Sequence, residues 1–224
     1  MNLKNYVDGI AQIFHEKGKP EIAFHQAKYM KNHFQFYGLK VQEWTGLSKI
    51  YFIEHGYPPI DELDEFVKMC YSYPQREMHY FAITVLEKLG KNLPASAIDI
   101  YEYAITNQSW WDSVDRIAKL VGQHLTLHPE LQPSTTDRFN ESDHLWLIRV
   151  SIIFQLFYRY NTDIKLLEKY MLPCLRHKDF FIRKAIGWAL RQYGRYNPEF
   201  VVNFVEQHQR EMSGLSIREA IRNL

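Results

Sequence analysis

Three hexapeptides of this chain repeat one pattern: Leu147-Ile148-Arg149-Val150-Ser151-Ile152, Phe181-Ile182-Arg183-Lys184-Ala185-Ile186 and Ser216-Ile217-Arg218-Glu219-Ala220-Ile221. Their arginines, Arg149, Arg183 and Arg218, stand 34 and 35 residues apart. The same step taken backwards lands on Asp115 and then on Tyr80. A period of this length is that of a helix-pair repeat. One such pair cannot bury its apolar face alone, so neighbouring pairs must stack. The register therefore predicts an all-α solenoid, with Asp115, Arg149, Arg183 and Arg218 in a row along one face. A structural reading stands beside this one: each arginine bridges adjacent repeats, and Arg218, near the chain end, fits that reading best.

Hydrophobic periodicity agrees. Helices are predicted at residues 2–17, 21–36, 41–55, 61–70, 74–89, 94–106 and 109–125. Others follow at 145–160, from 162 or 163 to 177, at 180–193 and 199–212, with a last turn or two to Leu224. Residues 128–142 carry Pro129, Pro133 and Ser134-Thr135-Thr136, and read as a broken helix and a loop. Nothing reads as period-two strands. The 224 residues suit one continuous repeat domain over 1–224.

The most unusual stretch is Ser109-Trp110-Trp111-Asp112-Ser113-Val114-Asp115. Ser109 and Asp112 have the capping-box spacing, so Ser109 is the predicted N-cap. Asp112 then lies in the first turn, where the helix dipole favours an anion. Trp111 and Asp115 are four apart and share a helix face. A ring beside a carboxylate suits a cationic ligand. The plainer reading makes one tryptophan core and pairs Asp115 with Arg116 or a neighbouring helix.

Charge and ligand-bearing residues exclude several classes. The formal net charge is +1, which gives no basic excess of the kind usual in nucleic-acid binders, although a one-sided distribution remains open. Cys70 and Cys174 are far apart and have no metal-ligand company, which fits a reduced, cytoplasmic protein with two buried thiols. His124 and His128 are four apart, but no third ligand lies nearby, so surface histidines and no metal site are expected. No apolar run approaches the ~20 residues of a membrane helix, and the N-terminus lacks the apolar core of a signal segment. The Asn140-Glu141-Ser142 glycosylation pattern carries no weight in a cytosolic protein.

Lys28-Tyr29-Met30-Lys31-Asn32-His33-Phe34, the double-tryptophan heptapeptide, Trp146-Leu147-Ile148-Arg149, Lys184-Ala185-Ile186-Gly187-Trp188 and Leu215-Ser216-Ile217-Arg218-Glu219-Ala220-Ile221 together resemble the AlkD-type DNA alkylation repair enzymes in order and spacing. The resemblance covers nearly the whole chain. It implies a C-shaped solenoid of HEAT-like repeats holding duplex DNA on a concave, basic face, and a DNA glycosylase that removes 3-methyladenine, 7-methylguanine and related cationic alkylpurines. By motif it implies Asp115 as the catalytic carboxylate, Trp111 and Trp188 against the lesion's deoxyribose, Arg149 on the DNA backbone, and Tyr29 near the lesion. Lys28, Lys31, Arg183, Lys184 and Arg191 are candidates for the rest of the basic face, with a solvated surface role as the alternative for each. Trp110 and Asp112 are kept as structural. The expected partner is double-stranded DNA bound by a monomer, with no cofactor, metal or membrane. Two other readings stand open: a non-catalytic binder of unusual DNA structures, and a repeat scaffold for a protein partner.

Overall fold

The structure is a computed structural model that describes residues 2–224. Among the described residues there are thirteen α-helices, and the only β pairing is an isolated bridge between Gln35 and Gln75. The chain forms two compact units, the first ending at Ile100 and the second spanning Tyr101–Leu224.

The first unit holds α1 (Leu3–Lys17), α2 (Pro20–Tyr29), α3 (Val41–His55), α4 (Leu63–Ser72) and α5 (Arg76–Leu89). α1 packs on α3 and α4, and α5 packs on α3 and α4, around an aromatic core that includes Tyr6, Phe14, Phe66 and Phe81. α2 is shorter than the predicted 21–36. After Tyr29 the chain turns left-handed at Lys31 (φ 53°) and Asn32 (φ 60°), and the Asn32 N–H bonds the Ala27 carbonyl at 2.7 Å, ending the helix. The buried Glu77 carboxylate holds the next segment by accepting the N–H groups of Tyr37, Gly38 and Leu39 at 3.0, 3.0 and 3.2 Å. Gly38 has φ 91°, and a Cβ there would lie 2.1 Å from the Lys19 carbonyl oxygen, so only glycine fits.

The division between the units falls within α6 (Ala97–Thr106). The second unit continues with α7 (Trp111–Leu127), α8 (Gln132–Asn140), α9 (Leu145–Ile153), α10 (Ile164–Met171), α11 (Phe180–Gly194), α12 (Pro198–His208) and α13 (Gly214–Ala220). α7 packs on α9, α9 on α11, and α11 on α13, while α8, α10 and α12 pack beside their partners. These are stacked helical pairs of the HEAT-like kind, and the arginine register seen in the sequence is the register of the stack.

Further segments depart from the sequence reading, among them the helix predicted to reach 177, which ends at Met171. Residues 128–142, predicted as a broken helix and a loop, are more helical than that: a 3-10 turn, Pro129–Leu131, followed by α8. Pro133 sits in the first turn of α8, where its missing N–H costs nothing, and Thr135, Thr136 and Phe139 are buried. The predicted 145–160 helix stops at Ile153. Buried Gln155 turns the chain back, donating to the Asp163 carbonyl at 3.2 Å and accepting the Asp163 N–H at 2.8 Å. Asp163, Asp179 and Asn197 cap α10, α11 and α12 with their side chains.

Candidate active site

α7 begins one residue later than a Ser109 cap requires. Trp110 is the N-cap residue in extended backbone, with no side-chain capping bond, and the Ser109 hydroxyl instead donates to the Ile105 carbonyl at 2.6 Å, closing α6. Asp112 lies in the first turn of α7. The Trp110 ring packs against Trp146 and Phe181, with centroids 5.9 and 5.2 Å away. The two tryptophans thus divide their work: Trp110 ties α7 to α9 and α11, and Trp111 is left half-buried at the mouth of a cleft.

That cleft, of about 270 Å³, is walled by Trp111 and Asp115 of α7, Arg149 of α9 and Phe180, Phe181, Lys184, Trp188 and Arg191 of α11, with Glu219 of α13. At its base the Arg149 guanidinium grips Asp115 two-handed, Nε to Oδ1 at 2.8 Å and Nη2 to Oδ2 at 2.9 Å. Its remaining nitrogen, Nη1, donates to the Phe181 carbonyl at 2.6 Å. Arg149 is therefore bonded to the helices on both sides of it. Its side chain is 5% exposed, against 19% for Asp115. The Trp188 ring lies with its centroid 6.0 Å from the guanidinium carbon.

Burial pushes the Asp115 carboxyl above the usual aspartate range; the bonds and charge of Arg149 pull it back, and the nearby Asp112 adds to the rise. The two-handed bond from Arg149 favours the charged carboxylate against the effect of burial. A carboxylate offers about four lone-pair sites, and a bidentate arginine takes two of them. The other two remain for a ligand in the cleft.

Glu219 was not singled out in the sequence. Its carboxylate binds Lys184 Nζ at 2.9 Å and Arg191 Nη1 at 2.5 Å. Those bonds, led by the Lys184 hydrogen bond, hold its pKa below the usual glutamate range. A signal existed: Lys184 and Glu219 are 35 residues apart, one repeat, and carry opposite charges, as do Asp115 and Arg149 at 34.

Arg183 is half-buried and its Nε donates to the His177 carbonyl at 2.8 Å, so it shapes the start of α11. Lys28, Tyr29 and Lys31 belong to the first unit; all three are exposed, Tyr29 by 70%. Of the expected surface histidines, His124 is in fact buried, its ring 5.4 Å from that of Tyr101. Among the described residues no group of three or more His, Cys, Asp or Glu is placed to hold a metal ion, and no helix is long and apolar enough to cross a membrane. Cys70 and Cys174 are buried free thiols.

The model of one protein family, described as DNA alkylation repair enzyme, matches residues 10–224. The chain belongs to the DNA alkylation repair enzyme family. A solved structure described as a predicted DNA alkylation repair enzyme from Enterococcus faecalis is similar to it, with 31% identity and a TM-score of 0.85 over 92% of this chain and 96% of that one. No curated protein matches the chain. Membership in the DNA alkylation repair family places the chain's work in the repair of alkylated DNA, and the cleft gathers charged and aromatic groups from four helices.

Proposed function

We propose that the protein is a monofunctional DNA glycosylase. It hydrolyses the N-glycosidic bond of cationic N3- and N7-alkylated purines in duplex DNA. The observation that carries this reading is Asp115, a largely buried carboxylate locked by Arg149 and open to the cleft between Trp111 and Trp188.

An alkylated purine is already positively charged and departs as a neutral base, so little acid help is needed. As the bond stretches, positive charge moves to the sugar. Asp115 stabilises that charge and orients the attacking water. Because Arg149 fixes the carboxylate before substrate arrives, little reorganisation is required at the moment of reaction; groups of this kind contribute ~3–4 kcal/mol. The faces of Trp111 and Trp188 add cation–π stabilisation of ~0.5–2 kcal/mol each. Lys184 and Arg191 offer charge for the flanking phosphates, a sequence-independent contribution. Most glycosylases extrude the base into a pocket; the resemblance to the AlkD-type enzymes implies an exception, in which the base need not enter a protein pocket and bulky adducts are accepted along with methyl groups. The water attacks the sugar directly, so the strand is left uncut with an abasic site.

The test is substrate charge. Duplexes carrying a single 7-methylguanine or a single hypoxanthine are incubated with the protein, and base release is measured. Release of the cationic base and not of the neutral one supports the mechanism; equal release of both contradicts it. Salt-sensitive duplex binding without release would favour the non-catalytic DNA binder, in which the Asp115–Arg149 pair only ties α7 to α9.

A further inference from the structure

The Glu219 carboxylate is paired with two cations of the cleft, Lys184 and Arg191. Lys184, Trp188 and Arg191 lie on one face of α11, and Lys184 and Arg191 are two turns apart, ~10 Å along the axis. Between them α13 presents a single carboxylate whose two oxygens take one cation each, in the cleft that Trp188 also lines. The placement is close-packed. A Cβ on Gly187 would lie 2.5 Å from the Glu219 Cβ and 2.8 Å from the Ser216 carbonyl oxygen, and the Ser216 hydroxyl donates to the Arg183 carbonyl at 2.9 Å. Glu219 is therefore delivered to this spot by a helix contact that leaves no room for a side chain at position 187. Its side chain is 14% exposed, against 36% for Lys184 and 20% for Arg191, so the cations reach solvent more readily than their counter-ion does.

We propose that Lys184 and Arg191 form a phosphodiester-binding site and that Glu219 is its built-in occupant, displaced by a DNA backbone phosphate. The ligand class follows from the donors: one ammonium and one guanidinium around a point now filled by a two-oxygen anion. The proposal rests on the duplex-DNA reading above and deepens it. A tethered carboxylate competes at high effective concentration. A duplex that only grazes the surface does not displace it, whereas one seated against Trp188 does. The cations of the cleft are thus masked toward passing DNA, as expected of a repair enzyme whose formal net charge is only +1.

The test measures binding of undamaged duplex by fluorescence anisotropy over a range of salt, with the full chain and its Glu219→Gln, Glu219→Asp and Lys184→Gln/Glu219→Gln variants. Unmasking two cations should tighten binding about tenfold at low salt and steepen the slope of log K against log salt by about one to two. The double variant should return toward the wild type. Glu219→Asp, which keeps the charge but is too short to span both cations, should fall between; it also serves if the glutamine variant does not fold. Unchanged affinity and slope in the variants that fold would overturn the proposal and leave Glu219 as a clamp between α11 and α13. In that case 7-methylguanine release by the wild type would still stand for the proposed function. Absence of duplex binding in every protein, the wild type included, would overturn both.

Discussion

Asp115 and Glu219 are two carboxylates in one cleft whose pKa values move in opposite directions, and pH separates their effects. Burial raises Asp115, so on acidification it takes up a proton above the ordinary aspartate value of about 3.9. Its contribution to stability is present below that value and is lost as pH rises through the raised one, so protonating it does not unfold the protein. Glu219 is lowered by Lys184, and Asp137 by Lys169 and Tyr170. Their contributions are present above the ordinary carboxylate values and are lost only as pH falls through the lowered ones. Base release should therefore fail at a higher pH than the fold does. Release measured under single-turnover conditions, beside far-UV circular dichroism over the same pH series, checks this. Coincident loss of both would contradict it. Arg149→Ala, which strands Asp115 and frees the Phe181 carbonyl, should cost about 3 kcal/mol of stability in urea unfolding.

At the scale of the helix, glycines report how closely the stack is packed. Gly187 on α11 and Gly122 on α7 meet neighbouring helices or turns directly; a Cβ on Gly122 would lie 2.2 Å from the Phe154 carbonyl oxygen. Gly46 on α3 has nothing within 4 Å. Alanine is the better helix former by ~1 kcal/mol, so the sign of the change isolates the packing. Gly46→Ala should raise the melting temperature by about 2–4 °C, whereas Gly187→Ala and Gly122→Ala should lower it by at least as much. Calorimetry on the three variants decides this, and stabilisation by all three would show that the contacts yield freely. Much of this architecture was legible in the chain. The interval between Arg149, Arg183 and Arg218 predicts the stack, and the spacing of Trp111 and Asp115 predicts their shared face. The N-terminus of α7 was less legible, because Ser109 finds a better acceptor in the Ile105 carbonyl than a capping role would give it. Gln155 hid the end of α9, since its partner Asp163 lies across a turn that no local pattern encodes.

For the whole molecule, the formal net charge of +1 conceals an arrangement of charges. In the second unit, opposite charges about one repeat apart meet between helices, Glu102 with Arg138, Asp115 with Arg149, Asp137 with Lys169 and Lys184 with Glu219, and between turns, Arg176 with Glu211. Opposite charges at one repeat's distance could have been read from the sequence; that two of these pairs converge on one cleft could not, because convergence depends on the packing of α7, α9, α11 and α13. The more exposed pairs contribute only ~0–1 kcal/mol each. Added salt should therefore change the melting temperature little while weakening duplex binding steeply, since binding releases counterions and folding does not. Parallel scanning calorimetry and anisotropy across one salt series checks this. Binding insensitive to salt would point to a protein partner instead.

The most direct measurement is single-turnover release of 7-methylguanine from a duplex oligonucleotide by the wild type and by Asp115→Asn. Asparagine keeps an oxygen for Arg149 and removes only the charge. The account predicts release by the wild type and a loss of about 10²- to 10³-fold in the variant, with duplex binding retained. Equal rates in the two proteins would contradict a catalytic carboxylate at Asp115 and leave the pair with Arg149 as a strut of the repeat stack.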